Sequence, residues 1–439
     1  MPDGAIVVLS PPPTPNGPLH VGHLSGPYVA ADVAVRALRQ RGEHVVSVCG
    51  LDDHQNYVLA RARQESSDVR ALRDRYAGLI RGVFDRLGVV HDEFTEPLHD
   101  PSYRLAVTRF LDELIASGAC PVESWTTPAC PKCPRTLHHA YVSGGCPCCG
   151  AGSGGGTCEG CGSYTRASTL DEPVCTRCGR AATASTVVTG PVLRLEDHRE
   201  ALLAFWCRAT LPDRVRAMIS RLLAAPLPVV PLAYPSDWGI ERGESRIDVW
   251  AEMGLGYLYT LGHRFQPDAV TLAEHVAAWQ REVRELWAFM GLDNAFYYAV
   301  LFPALYAAAG LPLDSLSGLV VNEFYRLSGA KFSTSRNHAV WAHEFLATED
   351  PADVRLFLNW DRPAPLATDF TPDRYAAAVS VWRSLKGTVE TSEADLARAE
   401  AALLPANFDS ALAVRCLLAA DLADSAALLS AITGHAPTP

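Results

Sequence analysis

AIVVLSPPPTPNGPLHVGHLSGPYVAADVAVRALRQRGEHVVSVC, residues 5–49, holds the pattern that decides the fold. Ala5-Ile6-Val7-Val8-Leu9 is a short, β-branched apolar run, the signature of a strand buried on both faces. Pro11, Pro12, Pro13, Pro15 and Pro18 follow, with Asn16-Gly17 as a turn signal. From Leu24 to Arg41, Val29, Val33 and Ala37, and then Ala30, Ala34 and Leu38, recur every four residues, and Gly42 stands where a helix cap belongs. His44 to Cys49 reads as a second strand. Strand, helix and strand in this order make a right-handed crossover, so the chain opens as an α/β domain with a parallel sheet.

Around this unit lie 439 residues with 48% hydrophobic and 20% charged content, enough for two or more cores. No apolar run approaches bilayer length, and Met1 to Ser10 lacks a basic region and a cleavage site, which predicts a cytoplasmic protein with no membrane partner. The formal charge of −11 argues against a broad basic surface for nucleic acid. Only Lys132, Lys331 and Lys386 are lysines, so each position that avoids arginine draws attention.

Helical patterns continue to about Ala119, where the composition turns to Cys, Gly, Pro and Thr until about Gly190, as in an inserted module. Helical segments return from His198 to Ala225, and alternating patterns to Tyr325 are consistent with the second half of the same sheet. The expected divisions are 1–118 and 229–330 for the two halves of the sheet domain, 119–228 for the insertion, 331–372 for a loop region, and 373–439 for a short helical end.

Thirteen cysteines in a large chain with no leader point to metal rather than disulfides. Cys130 and Cys133, Cys146 and Cys149, Cys158 and Cys161, and Cys175 and Cys178 form four Cys-x-x-Cys knuckles. A two-residue spacer lets both thiolates of a knuckle reach one tetrahedral ion, so eight cysteines make two structural Zn²⁺ sites with no open position for chemistry. Four knuckles can pair in three ways. The short loop from Cys149 to Cys158 favours joining the middle two, which leaves the outer two to each other. Cys148, His138 and His139 stay outside this ligand set.

The pair His20 and His23 flanks Gly22 where the first strand gives way to a helix, a place that attracts phosphate. Gly329-Ala330-Lys331-Phe332-Ser333-Thr334-Ser335-Arg336 is a loop with a rare lysine, three hydroxyls and an arginine, a donor set suited to a triphosphate. Together the two stretches resemble the HIGH and KMSKS signatures of class I aminoacyl-tRNA synthetases. Pro11 to His23, Cys49-Gly50-Leu51-Asp52-Asp53-His54, Trp250 to Tyr257 and Phe289-Met290-Gly291-Leu292-Asp293 are similar to the methionyl branch of that class, whose two-zinc members also carry a four-knuckle insertion.

The resemblance implies a Rossmann-type catalytic domain that forms an aminoacyl-adenylate from ATP, Mg²⁺ and an amino acid. It implies ATP binding by Asn16, His20, Gly22, His23, Asp293, Lys331, Ser333 and Ser335, with His20, His23, Lys331 and Arg336 acting on the phosphates. It implies an amino-acid pocket of Pro12, Thr14, Asp52, Arg242, Trp250, Tyr257 and Tyr298, where Asp52 receives the α-ammonium group. It also makes 331–372 a stem-contact region.

Several residues depart from the family. Thr334 replaces the second lysine of KMSKS, which implies slower activation or a substitute role for Arg336. Thr14 stands where an aromatic residue is usual, Tyr298 where histidine is expected and Leu301 where phenylalanine is expected, so methionine is not a safe substrate. The residues after Tyr375 are few, acidic and alanine-rich, unlike an anticodon-reading bundle. The expectation is therefore aminoacyl transfer to a small-molecule hydroxylamine or amine acceptor in a natural-product pathway that makes N–N bonds, with a cupin partner protein. The alternatives are a tRNA ligase without its own anticodon domain and a non-catalytic binding module.

Overall fold

The computed structural model describes residues 4–133, 135–332, 338–384, 393–418 and 422–434. Five parallel strands form its central sheet: β1 (Ala5–Leu9), β2 (Val45–Gly50), β3 (Glu93–Thr95), β4 (Val283–Gly291) and β5 (Leu316–Asn322). Their order is β5-β4-β1-β2-β3. Every residue of β1 and β2 is buried, because a parallel sheet is covered on both faces and needs apolar residues without alternation. From β1 the chain steps one way to β2 and β3, and later the other way to β4 and β5. That reversal opens a crevice at the carboxyl ends of the strands.

The first helix starts earlier than the spacing of apolar residues predicts. One α-helical turn covers Val21–His23, a wider π-helical turn covers Leu24–Tyr28, and α1 runs over Val29–Gln40. The wide turn holds Pro27, whose ring and missing N–H a regular helix would accommodate poorly. Gly42 ends the helix with φ of 78°, in the left-handed region where a side chain would be strained. His20 therefore caps the helix while His23 lies within it.

Between the two halves of the sheet, the long strands Val122–Ala129 and Ala184–Arg194 pair antiparallel and carry a smaller sheet of Gly152–Gly155, His139–Gly145 and Asp171–Cys175. Helices follow the second half, among them Pro351–Trp360 and Leu422–Thr433. Arg355 ties these to the sheet domain from a fully buried position. Its guanidinium donates to Asp32 Oδ2 of α1 at 2.6 Å, to Leu87 O at 3.1 Å, and to Ile432 O and Ala431 O at 2.8 and 3.1 Å. Among the described residues no helix is long and apolar enough to cross a membrane.

Arg355→Ala leaves the carbonyls of Leu87, Ala431 and Ile432 without this donor and Asp32 with Arg36 as its remaining ion partner, so it is expected to cost about 3 kcal/mol. Hydrogen exchange in Leu422–Thr433 should rise before the rest of the protein unfolds. Unchanged protection there would show that the helix is held by apolar packing alone.

Candidate active site and metal centres

The segment after β1 bends at Pro15-Asn16-Gly17, where Asn16 N–H donates to Thr14 O at 2.9 Å. From Pro11 to Val21 buried and half-buried residues alternate, which leaves Pro12, Thr14, Asn16 and His20 half-buried.

His20 and His23 stack with ring centroids 3.7 Å apart. The backbone N–H of His20 donates to Nδ1 of His23 at 3.2 Å, which leaves the His23 ring proton on Nε2 in the neutral form. A Cβ at Gly22 would lie 3.0 Å from His20 Nδ1 and 3.3 Å from Tyr325 Cβ. The glycine therefore makes room for the imidazole itself, a role that the spacing did not predict.

The late loop is joined to this turn on both flanks. Phe332 stacks on His20 at 4.7 Å. On the far flank, Val21 N–H donates to Val340 O at 3.1 Å, Ala342 N–H donates to Leu19 O at 2.8 Å, and His20 bridges Trp341. The backbone of Lys331 pairs with Arg326. The Lys331 side chain, Ser333, Thr334, Ser335 and Arg336 lie outside the described residues.

Asp52 and Asp53 follow β2 and have different surroundings. Asp53 is fully buried against Arg73, with Oδ1 and Oδ2 at 2.6 and 2.8 Å from its guanidinium, and Leu98 N–H donates to it at 2.9 Å. Its hydrogen-bonding capacity is used by the fold. Asp52 accepts from Thr14 Oγ1 at 2.8 Å through Oδ2, while its buried Oδ1 has no partner among the described residues. Burial raises the Asp52 carboxyl to about 7; the Thr14 bond and His54 oppose this, and Glu252 and Asp53 add to it.

Helix α3 (Val249–Phe265) supplies the opposite wall. Glu252 Oε1 meets His54 Nδ1 at 2.8 Å, and Glu252 Oε2 is buried with no partner among the described residues. Burial lowers the His54 pKa, but Glu252 outweighs it and leaves the imidazole raised above its ordinary value. Asp52, Glu252, Pro12, Met253 and Tyr257 line one hollow. Behind it, Tyr257 and Tyr298 share a 2.6 Å hydrogen bond. Trp250 stacks on Tyr297 at 3.5 Å. Asp293 sits in the turn after β4, where Asn294 Nδ2 donates to it at 3.2 Å. Arg242 is not brought into the hollow: it pairs with Asp112 at 3.1 Å, since the strand Glu241–Arg242 turns it toward the helix Pro101–Ala116.

The eight knuckle cysteines gather into two groups, Cys130, Cys133, Cys175 and Cys178, and Cys146, Cys149, Cys158 and Cys161. This is the nested pairing. Within each group all sulfurs lie within 4.8 Å of one another, with closest pairs at 3.5, 3.6 and 3.8 Å. Four thiolates about 2.3 Å from one ion stand about 3.8 Å apart, so both groups fit tetrahedral zinc. Cys133 N–H donates to Cys130 Sγ at 3.1 Å, a bond that stabilises a ligating thiolate.

Residues 6–381 match the family model described as tRNA synthetases class I (M). The chain belongs to this family. It is 29% identical over 378 residues to the methionine–tRNA ligase of Methanobrevibacter smithii, covering 83% of this chain and 54% of that one. It is 31% identical over 357 residues to that of Methanoculleus marisnigri, covering 79% and 52%. The chain spans about half the length of the curated relatives it matches. The solved structure of Mycobacterium tuberculosis methionyl-tRNA synthetase in complex with methionyl-adenylate shares the fold, with a TM-score of 0.70 and 18% identity over 98% of this chain and 82% of that one.

In this class I (M) synthetase chain, three residues of the site carried no assignment from sequence. Glu252, His54 and Met253 lie inside the quoted motifs, yet only the meeting of α3 with the loop after β2 reveals them. A signal for Glu252 existed: an acidic residue inside an otherwise apolar helical stretch has to find a partner when buried.

Proposed function

We propose that this chain activates an amino acid with ATP to form an aminoacyl-adenylate. The observation that carries the reading is the clasp between Leu19–Val21 and both flanks of the late loop, set at the crevice into which Asp52 presents a free carboxylate oxygen. An amino acid held by its ammonium group at Asp52 would place its carboxylate toward the histidine turn. A carboxylate oxygen bonds to the α-phosphorus as the bond to the β-phosphate oxygen breaks, and pyrophosphate leaves with that electron pair. His20 and His23, with Gly22 and Asn16, would hold the phosphates, and Asp293 the nucleoside, while Mg²⁺ enters with the nucleotide. The groups at Lys331, Ser333, Ser335 and Arg336 would complete the phosphate contacts.

The acceptor we favour is a small amine or hydroxylamine. The net charge of −11 and the acidic first turn of Glu393–Ala402 disfavour a phosphate backbone. The second reading, transfer to tRNA, is supported by relatives that are named tRNA ligases.

Exchange of labelled pyrophosphate into ATP, screened over twenty amino acids, tests the first step. At least one should support exchange, and His20→Ala should lower its rate by about 10²-fold. A flat screen would favour a binding module instead. Acyl transfer from the adenylate to tRNA and to hydroxylamine, measured side by side, then separates the two acceptors.

A further inference from the structure

We infer that the amino-acid pocket accepts a small side chain, of the glycine, alanine or serine class, and that Met253 sets this limit. The inference rests on the activation reading for the choice of an α-amino acid as ligand. Asp52 and Glu252 both line the hollow, and each has a buried carboxylate oxygen, Oδ1 and Oε2, with no donor among the described residues. An ammonium group answers both needs, since it brings positive charge and three N–H donors. A ligand anchored there has Met253 and Tyr257 as its neighbours, because they line the same hollow.

That wall leaves little room. The hollow is about 20 Å³, and a single water needs about 10–15 Å³ on the same measure. The wall is also braced against opening. Tyr257 and Tyr298 share a 2.6 Å hydrogen bond, and the Tyr298 hydroxyl lies 3.8 Å from Met253 Sδ. Phe302 packs its ring against both tyrosines, with centroids 6.0 and 4.8 Å away. Met253, Tyr257 and Tyr298 are at most 7% exposed. Admitting a long side chain would displace Met253 from a buried, closely packed wall. The thioether of the protein fills the space that a long substrate side chain would need.

Calorimetric titration of the full chain with glycine, alanine, serine, leucine and methionine tests the assignment. At least one small amino acid should bind about 100-fold or more tightly than methionine. Met253→Ala should shift the ratio toward methionine by about tenfold or more, and Met253→Leu, which keeps the bulk, should leave it in place. Methionine binding as tightly as the best small amino acid, no binding by any of them, or a ratio indifferent to Met253→Ala would overturn the assignment. Pyrophosphate exchange on the same samples keeps the two readings apart. Small amino acids that bind without driving exchange would sink activation and leave the pocket assignment standing. Exchange driven best by methionine would do the reverse.

Discussion

Cys175→Ser is expected to leave one zinc-competent cysteine group per chain where the intact protein has two, so metal analysis should fall from two ions to one, and the small sheet of the insertion should lose its order. The core of that sheet is slight, centred on Leu137, Tyr141, Val142 and Leu170 beside Cys130 and Cys175. So little apolar surface cannot hold three short strands together. A zinc ion held by the four thiolates would supply the difference, with a binding free energy on the order of 10 kcal/mol for such a site. Metal analysis of purified variants also tests the pairing. Cys130→Ser with Cys175→Ser should still retain one zinc, because both thiolates serve the same ion, whereas Cys130→Ser with Cys146→Ser should retain none. The opposite pattern would show that the knuckles pair in another way.

Asp52→Asn is expected to lower amino-acid-dependent exchange by about 10³-fold and yet to raise stability at alkaline pH. Removing one partner of a buried charge pair costs about 2–5 kcal/mol, which covers that loss. The pH dependence follows from the carboxyl being raised to about 7 by burial. Only the ionised form attracts an ammonium group. Amino-acid affinity should therefore rise about tenfold per pH unit up to pH 7 and level off above it, and in Asp52→Asn this slope should vanish. Stability runs the other way. A carboxyl whose folded pKa lies above its unfolded one contributes stability that is complete at low pH and is lost as pH rises toward 7. At pH 8 the wild type carries the full cost of the buried charge, on the order of 4 kcal/mol, and the asparagine variant does not. Melting curves at pH 5 and pH 8 should show the variant gaining on the wild type as pH rises. A constant difference would mean that Asp52 is ionised, and paired, throughout this range.

The predictions above draw on residues of unequal legibility. The crossover from Ala5 to Cys49 is readable because apolar continuity and a spacing of four are local properties of the chain. The helix start is less so: a π turn around Pro27 moves it three residues forward and changes His23 from a loop residue to a helical one. The knuckle pairing is accessible to a loop-closure argument, since only eight residues lie between Cys149 and Cys158, whose sulfurs stand 3.6 Å apart. Arg242 shows the limit of matching by position, because Asp112, from a distant helix, holds it away from the hollow.

The sequence by itself determined the parallel α/β crossover, the eight cysteines that fit zinc, and the family likeness carried by the histidine turn and the late loop. Each depends on residue type and spacing along the chain. The tertiary structure alone decided which of two adjacent aspartates keeps a free oxygen. Arg73 and the Leu98 amide hold Asp53, and among the described residues nothing equivalent reaches Asp52 Oδ1. It also decided that Met253 fills the pocket and that Phe332 lies on His20. Those outcomes follow from desolvation and close packing between segments far apart in the chain, which residue types and local spacing do not express.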